Sequence, residues 1–288
     1  MIGIVGSMEN DGTAALVRRW AELGLDVELL GGEALDLLRP GDVAVGRLDV
    51  RRSLDGVEDG LLRLLLLERR GVRVLNRASS LLAAHDKLRT ARLLARAGVP
   101  HPSTRHARPG APVATTAPVV LKPRFGSWGI DVARCATAAD VDAYLRGAAP
   151  KAWYRRHGLL IQEEVPSAGR DLRVLLASGR VVGAIERVAA AGEWRTNVSC
   201  GATARPAKVP EPARELAATA AAALDADLVG VDLLPLGADR WVVVELNGAV
   251  DFDDDYASAG DDVFALAADA LRVRTGASSA PRVAAARR

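Results

Sequence analysis

The sequence predicts a mixed α/β (α+β) protein in which a small parallel-sheet unit precedes two further units, the last of them built on antiparallel strands. Three observations carry this reading. The first 75 or so residues alternate short apolar runs with amphipathic stretches, the pattern of β-α-β units. From Leu159 onward the pattern becomes strands joined by tight turns, and near the end a hairpin pairs Val229–Pro235 with Trp241–Asn247.

In chain order, Ile2–Val5 is a strand followed by Gly6 and Ser7, Thr13–Leu23 an amphipathic helix, and Leu25–Leu30 and Asp42–Gly46 the next strands. A helix over Val57–Arg69 and a strand at Val72–Leu75 continue the alternation. Asn76–Ala84 and Asp86–Ala97 have helical periodicity, and Gly98-Val99-Pro100 stops the second sharply. A Pro- and Thr-rich connection, Pro100–Pro118, leads to the buried strand Val119–Pro123, the turn Phe125-Gly126-Ser127-Trp128-Gly129, another strand, and a helix over Thr137–Arg146. Strands Leu159–Gln162, Leu172–Ala177 and Val181–Val188 follow, the last two joined at Ser178-Gly179. A long helix, Glu211–Leu224, precedes the hairpin, and Asp261–Arg272 forms a final helix before a frayed tail over Gly276–Arg288. The expected units are 1–80, 81–157 and 158–274, with a flexible tail at 275–288.

The composition, 49% hydrophobic and 26% charged over 288 residues, supports real cores in two or three packed units. Lys plus Arg is 38 and Asp plus Glu 36, a net charge of +2 that gives no reason to expect nucleic acid or an anionic membrane as partner. The apolar run Leu64–Leu67 falls far short of the ~20 residues of a membrane span. Two cysteines without a CxxC pair, Cys135 and Cys200, and an N-terminus without a basic start or long apolar run point to a reducing cytoplasm and no structural zinc. GxGxxG and GxxxxGK[ST] are both absent, which excludes the commonest dinucleotide and P-loop fingerprints. His85, His101, His106 and His157 lack ligand spacing and read as ordinary surface or loop residues.

Three clusters carry candidate chemistry. The hairpin sets acids inside apolar strands, and a turn centred on Ala238 and Asp239 places Asp232 opposite Glu245, with Asn247 on the face of Glu245. Facing acids repel, and a hard divalent cation bridging to phosphate oxygens relieves the repulsion; a solvated edge hairpin is the plainer alternative. Lys122 ends an apolar strand just before Gly126-Ser127-Trp128-Gly129, a place where an anion is its natural partner, although an exposed lysine beside a turn gives the same sequence. Glu193-Trp194-Arg195-Thr196-Asn197, following Glu186-Arg187, suits phosphoryl oxygens or a polar surface loop equally.

Taken together, Asp86-Lys87-Leu88-Arg89-Thr90, Leu121-Lys122-Pro123, Gly126-Ser127-Trp128-Gly129, Gln162-Glu163-Glu164, Gly169-Arg170-Asp171-Leu172-Arg173, Trp194-Arg195-Thr196-Asn197, Gly230-Val231-Asp232 and Glu245-Leu246-Asn247 resemble the ATP-grasp ligases of the RimK type. The resemblance runs from residue 1 to about residue 272. Each motif alone is weak; eight in order are specific.

This resemblance implies an ATP-grasp fold with an N-terminal pre-ATP-grasp domain and a cytoplasmic, ADP-forming ligase that joins a carboxylate to an amine through an acyl phosphate. The amine would be L-glutamate or a related amino acid, and the carboxylate would belong to a protein, a peptide or a small molecule. The implied cofactors are ATP and Mg²⁺, with Mn²⁺ as an alternative. Lys87 and Lys122 would contact ATP phosphates, with Ser127, Trp128, Gly129 and Thr196 also around the nucleotide. Glu163, Glu164 and Val165 would form the adenine hinge, and Asp171 would lie near the ribose. Arg187, Arg195 and Asn197 would meet the phosphates and the reacting carboxylate, and Asp232, Glu245 and Asn247 would hold the metal.

Gly-Ser-Trp-Gly and Gly248-Ala249-Val250-Asp251-Phe252 resemble the LysX branch, whose partner is a small acidic carrier protein, more than the ribosomal-tail branch. Val198-Ser199-Cys200-Gly201 replaces the Thr-Ala-Arg-Gly of the family, which leaves the amino-acid substrate open. The run Asp253–Asp255 either repels an acidic carrier, selects a basic substrate or is simply a solvated charge run. Such ligases often form dimers or tetramers, but no interface signal is visible. A non-catalytic ATP-binding regulator and a purely structural scaffold are the competing readings from other classes.

Overall fold

The computed structural model describes residues 1–7, 10–31, 37–114, 118–237, 239–257 and 260–273. Its first sheet is parallel: β1 (Ile2–Gly6), β2 (Val27–Leu29), β3 (Val43–Arg47) and β4 (Arg73–Leu75) stand in the order β2-β1-β3-β4. Helix α1 (Asp11–Glu22) starts where the Asn10 side chain accepts the Thr13 N–H at 2.8 Å. It buries Leu16 and Trp20 against the same apolar cluster as Val263 and Phe264 from the far end of the chain. Helix α2 (Leu61–Arg69) begins later than its periodicity suggests. Gly60, at φ +137°, breaks the helical path, and Val57 pairs instead with Val50 in an isolated bridge.

Helix α3 (Ala78–His85) and helix α4 (Lys87–Arg96) meet at Asp86. Its carboxylate accepts the Leu88 and Arg89 N–H groups at 3.2 and 3.3 Å and so stops one helix while starting the next. This junction sets Lys87 at the first position of α4.

The second sheet holds β5 (Thr104–Ala107), β6 (Val119–Pro123), β7 (Ala133–Cys135) and β8 (Leu159–Glu163), all antiparallel, in the order β5-β8-β6-β7. Two differences from the sequence reading arise here. Pro100–Pro118 is not wholly a connection, because β5 lies within it and pairs with β8. The strand expected to open the 158–274 unit is β8, and it sits between β5 and β6 rather than with the strands that follow it. Helices α5 (Ala138–Ala148) and α6 (Ala152–His157) belong to the same region. The first is closed by a Thr137–Asp140 capping box; the second, six residues long, is too short to show helical periodicity in sequence.

The third sheet contains β9 (Arg170–Ala177), β10 (Arg180–Val188), β11 (Thr203–Pro206), β12 (Leu228–Pro235) and β13 (Trp241–Asn247), antiparallel in the order β11-β10-β9-β12-β13. Strand β11, exposed throughout, has none of the apolar alternation that marks a strand in sequence. Helix α7 (Glu211–Ala223) packs Ala213, Ala217 and Ala220 against Leu172, Val174 and Leu176 of β9 and Val229, Val231 and Leu233 of β12. These side chains are fully or almost fully buried, and the small alanines let the helix approach the sheet closely. Helix α8 (Val263–Ala270), shorter than the expected 261–272, is capped by Asp262 and covers the other face of the sheet through Leu175, Ala177 and Ile185. The frayed tail expected over 276–288 and the hairpin residue Ala238 lie outside the described residues. Among the described residues no helix is long and apolar enough to cross a membrane.

Candidate active site

A cleft of about 460 Å³ opens between the second and third sheets. Of the residues singled out in the sequence, Lys87, Lys122, Ser127, Trp128, Gly129, Glu163, Glu164, Val165, Asp171, Arg187, Arg195, Thr196, Asn197, Asp232 and Glu245 all line it. Asn247 does not; it lines an adjoining cavity, and its Oδ1 accepts the Ala249 N–H at 2.9 Å.

The charged wall of the cleft follows from strand alternation. Asp171 and Arg173 are two apart on β9 and so share a face; Arg187 is paired in register with Asp171, and Asp232 with both Arg173 and Glu245. Asp232 accepts a bidentate pair from Arg173 (Nε to Oδ1 2.6 Å, Nη2 to Oδ2 2.7 Å) and a third bond from Arg187 Nη2 at 2.8 Å. Arg187 also grips Asp171 through Nε at 2.8 Å and through Nη2, and Thr196 Oγ1 donates to Asp171 at 2.7 Å. Burial opposes ionisation of Asp232, but the two guanidinium groups outweigh it and hold this carboxyl well below the usual range.

The facing acids are therefore relieved by cations of the chain itself. Asp232 has Arg173 and Arg187, and Glu245 has Lys87 at 2.7 Å, which offsets the burial penalty and lowers its pKa. Facing acids alone consequently do not demand a metal. The pairs nearest the turn, Leu233 with Val243 and Pro235 with Trp241, are one residue out from the register expected of a turn centred on Ala238 and Asp239, and the register shift between Asp232 and Leu233 restores the Asp232–Glu245 pairing. Arg173, to which the sequence assigns no role, is one residue the sequence reading missed; its place two residues from Asp171 on a strand was the available signal.

On the opposite wall Lys122 is 5% exposed and donates to Gln162 Oε1 at 2.8 Å, while Gln162 Nε2 donates to Thr104 Oγ1 at 2.9 Å. Burial, and then the Lys87 charge, push the Lys122 ammonium down to about 8. Its hydrogen-bonded partner is thus a neutral amide, not an anion. The sequence likewise assigns Gln162 no role.

The glycine loop joins the two walls. Gly129 O accepts from Arg195 Nη1 at 3.0 Å, and Trp128 O from Ser199 Oγ at 2.9 Å. Gly129 lies at φ +69°, a left-handed backbone that favours glycine, and a Cβ there would come within 2.9 Å of Asn197 Oδ1, whose side chain would have to shift. Arg52 stacks over the Trp128 ring, 5.1 Å from its centroid. Arg195 is further engaged by Glu193, with Nη2 to Oε2 at 2.6 Å.

At the junction of β8 and β9, Glu164 pairs with Arg134 at 2.6 Å through Oε1, while its buried Oε2 has no partner. That orphaned acceptor suits a donor group of a ligand in the cleft. A hard cation finds suitable donor types in Asp232, Glu245 and Asn247, with Glu245 common to the cleft and the adjoining cavity. Among the described residues no group of three His, Cys, Asp or Glu side chains forms a metal cluster, so a cation here would rely on the Asn247 amide and on phosphate oxygens, and would compete with Lys87 for Glu245.

One histidine departs from expectation. His85 is neither surface nor loop: it ends α3 fully buried, and burial, aided by Lys87, pushes it down to about 4. His101, His106 and His157 hydrogen-bond backbone carbonyls at 2.7, 2.7 and 2.8 Å.

A family model described as RimK-like ATP-grasp domain matches residues 84–265. A protein of Enterobacter sp. (strain 638) named "Probable alpha-L-glutamate ligase" is 36% identical over 218 residues, covering 71% of this chain and 69% of its own length. A "Ribosomal protein bS6--L-glutamate ligase" of Escherichia fergusonii is 35% identical, again over 71% of this chain and 69% of its length. Among solved structures, a RimK domain ATP-grasp protein from Sphaerobacter thermophilus superposes with a TM-score of 0.66 at 21% identity, covering 94% of this chain and all of that one. It is similar in fold.

Proposed function

Because the chain belongs to the RimK-like ATP-grasp family and is an ADP-forming ligase that joins a carboxylate to an amine, we propose that the cleft between its second and third sheets is where ATP activates the carboxylate as an acyl phosphate. The carrying observation is that Lys87, Lys122, Arg187, Arg195, Asp232 and Glu245, drawn from four strands, one helix and one loop, line one 460 Å³ space.

In this reading the carboxylate oxygen attacks the γ-phosphorus, the bond to the β-phosphate oxygen breaks, and ADP leaves. An amine then attacks the acyl carbon, phosphate departs, and the amine's proton passes to solvent or phosphate. Lys87 and Lys122 orient the phosphates, and the released ADP keeps its contact with them. Arg187 and Arg195 face the charge that accumulates on the transferring group, where preorganised donors act most strongly. Asn197 offers an uncharged amide to the reacting carboxylate. The hinge Glu163-Glu164-Val165 borders the base, with Glu164 Oε2 as the open acceptor, and Asp171 lies toward the ribose. Ser127, Trp128, Gly129 and Thr196 complete the enclosure that excludes water. Mg²⁺ or Mn²⁺ held by Asp232, Glu245 and Asn247 would supply neutralisation of the phosphate oxygens.

The amine is proposed to be L-glutamate or a related amino acid, and the acceptor a protein, peptide or small-molecule carboxylate, a small acidic carrier protein included. A cytoplasmic setting suits consumption of ATP and the two free cysteines. The units 1–80, 81–157 and 158–274 are proposed as domains, with β8 reassigned to the middle one.

The test couples ADP release to a panel of amino acids and acceptors, with hydroxylamine added to trap acyl phosphate as a hydroxamate. Release that requires both an acceptor and an amine supports the reading. Absence of ADP and of hydroxamate with every pair would sink it.

A further inference from the structure

The adjoining cavity, about 680 Å³, shares Ser127, Trp128, Arg187, Asn197 and Glu245 with the nucleotide cleft, so a group held there meets the reacting phosphate end. Its walls differ from those of the cleft. Asp11, Asp49, Asp251, Asp253 and Asp255 line it, against Arg18 at the rim. Arg173 and Arg187 reach it too, but their guanidinium groups are committed to Asp171 and Asp232. Glu245 is committed to Lys87, and Asp251 has Arg47 at 3.4 Å.

Asp49 is the informative member. It is 5% exposed, yet it lines the cavity. Its Oδ1 accepts only the N–H of its own neighbour Val50, at 2.6 Å, and its Oδ2 accepts no hydrogen bond from any described residue. The closest ring, His85 with Nδ1 at 3.8 Å, is neutral near pH 7 because burial holds it at about 4. Burial raises the Asp49 pKa despite the nearby charges of Arg47, Lys87 and Arg173, so a further donor, above all a cationic one, would relieve a cost these leave uncompensated.

We propose that this cavity receives the amine-bearing substrate and that this substrate is an amino acid with a cationic side chain, an ammonium or guanidinium, with Asp49 as its buried counter-ion and Asp253 and Asp255 at the entrance. The inference rests on the ligase reading but departs from its glutamate-like amine, putting a basic amino acid in that place. A glutamate side chain would instead bring a further carboxylate beside Asp49 and Asp251, and like charges at that range repel.

The experiment is calorimetric titration of L-ornithine, L-arginine and L-glutamate into the full chain carrying Mg²⁺ and a non-hydrolysable ATP analogue. Ornithine or arginine should bind about tenfold or more tightly than glutamate, and Asp49→Asn should weaken the basic ligand by at least about tenfold. Since Asp49→Asn is a core substitution, its melting transition is checked, and the exposed Asp255→Asn serves as a second variant with an expected loss of about two- to threefold that added salt reduces. Equal or tighter binding of glutamate, no binding of either basic amino acid, or wild-type affinity in Asp49→Asn would each overturn the proposal. Failure of the ligase reading shows differently, as absent nucleotide binding and hydroxamate; the amino-acid titrations repeated without nucleotide still decide the preference.

Discussion

The two walls of the cleft treat charge in opposite ways. On the five-stranded sheet Asp171, Arg187, Asp232 and Arg173 form a lattice in which every charge has a partner of opposite sign, built entirely from the chain. On the four-stranded sheet Lys122 is equally buried but rests on the neutral Gln162 amide. The first wall can form without any ligand; the second carries a charge whose cost an anion would remove. Positioning and binding are thereby divided between the sheets.

The largest effect should come from breaking the self-balanced wall. Asp232→Ala removes the acceptor of three charge-assisted bonds and leaves Arg173 and Arg187 without it in a buried setting. A loss of about 3–5 kcal/mol in urea unfolding is expected, together with loss of ADP release. A change below ~1 kcal/mol would show that the lattice does not support itself and would erase the contrast with the other wall.

Lys122→Met should act in the reverse direction. Because burial lowers the folded-state pKa from 10.5 to about 8, the native chain releases this proton first as pH rises. The unfolded chain then binds more protons between those values, so Lys122 makes stability increase with pH across that window, and its cost is greatest below about 8. The methionine variant should therefore be more stable than the wild type at pH 7, by about 1–2 kcal/mol once the lost Gln162 bond is counted, with the advantage fading toward the upper end of the window. Mg-ATP should raise the wild-type Tm far more than that of the variant. A variant that is less stable at pH 7, or that keeps the full nucleotide shift, would mean that Gln162 satisfies the lysine.

What was legible in the sequence follows the same physics. The continuously buried β6, the long helix α7 and the β12–β13 hairpin were readable because their burial imposes a pattern, and the ordered motifs led to the RimK-like ATP-grasp family, which the family match bears out. Strand β11, exposed along its length, and the six-residue α6 carry no such pattern. The position of β8 between β5 and β6 is a matter of sheet order, which local periodicity does not encode. Within the site, the assumed hairpin turn set Asp232 opposite Glu245, a pairing the register shift restores, whereas the cations that relieve them come from residues 59, 45 and 158 positions away. The acids were thus visible and their partners were not, which made a metal look more necessary than the geometry requires. His85 was misread for a related reason: a lone histidine at a helix end gives no sign in sequence of the burial that the packed chain imposes.

The smallest effect separates burial from the mere presence of an ion pair. Glu186 on β10 and Arg205 on β11 are paired in register, and Arg205 Nε donates to Glu186 Oε2 at 2.8 Å, much like the contacts around Asp232. Here, however, the arginine side chain is 71% exposed against 21% for Glu186, so water competes for the guanidinium, which has lost little of its solvation. Arg205→Ala should cost less than about 1 kcal/mol in urea unfolding, and that small loss should shrink further in ~0.5 M salt, while the Asp232→Ala penalty should be nearly independent of salt because its partners are shielded from mobile ions. If Arg205→Ala instead cost as much as Asp232→Ala, cross-strand charge pairing would stabilise this sheet irrespective of solvent, and the buried lattice would lose its special standing as a wall that holds its own geometry for a ligand.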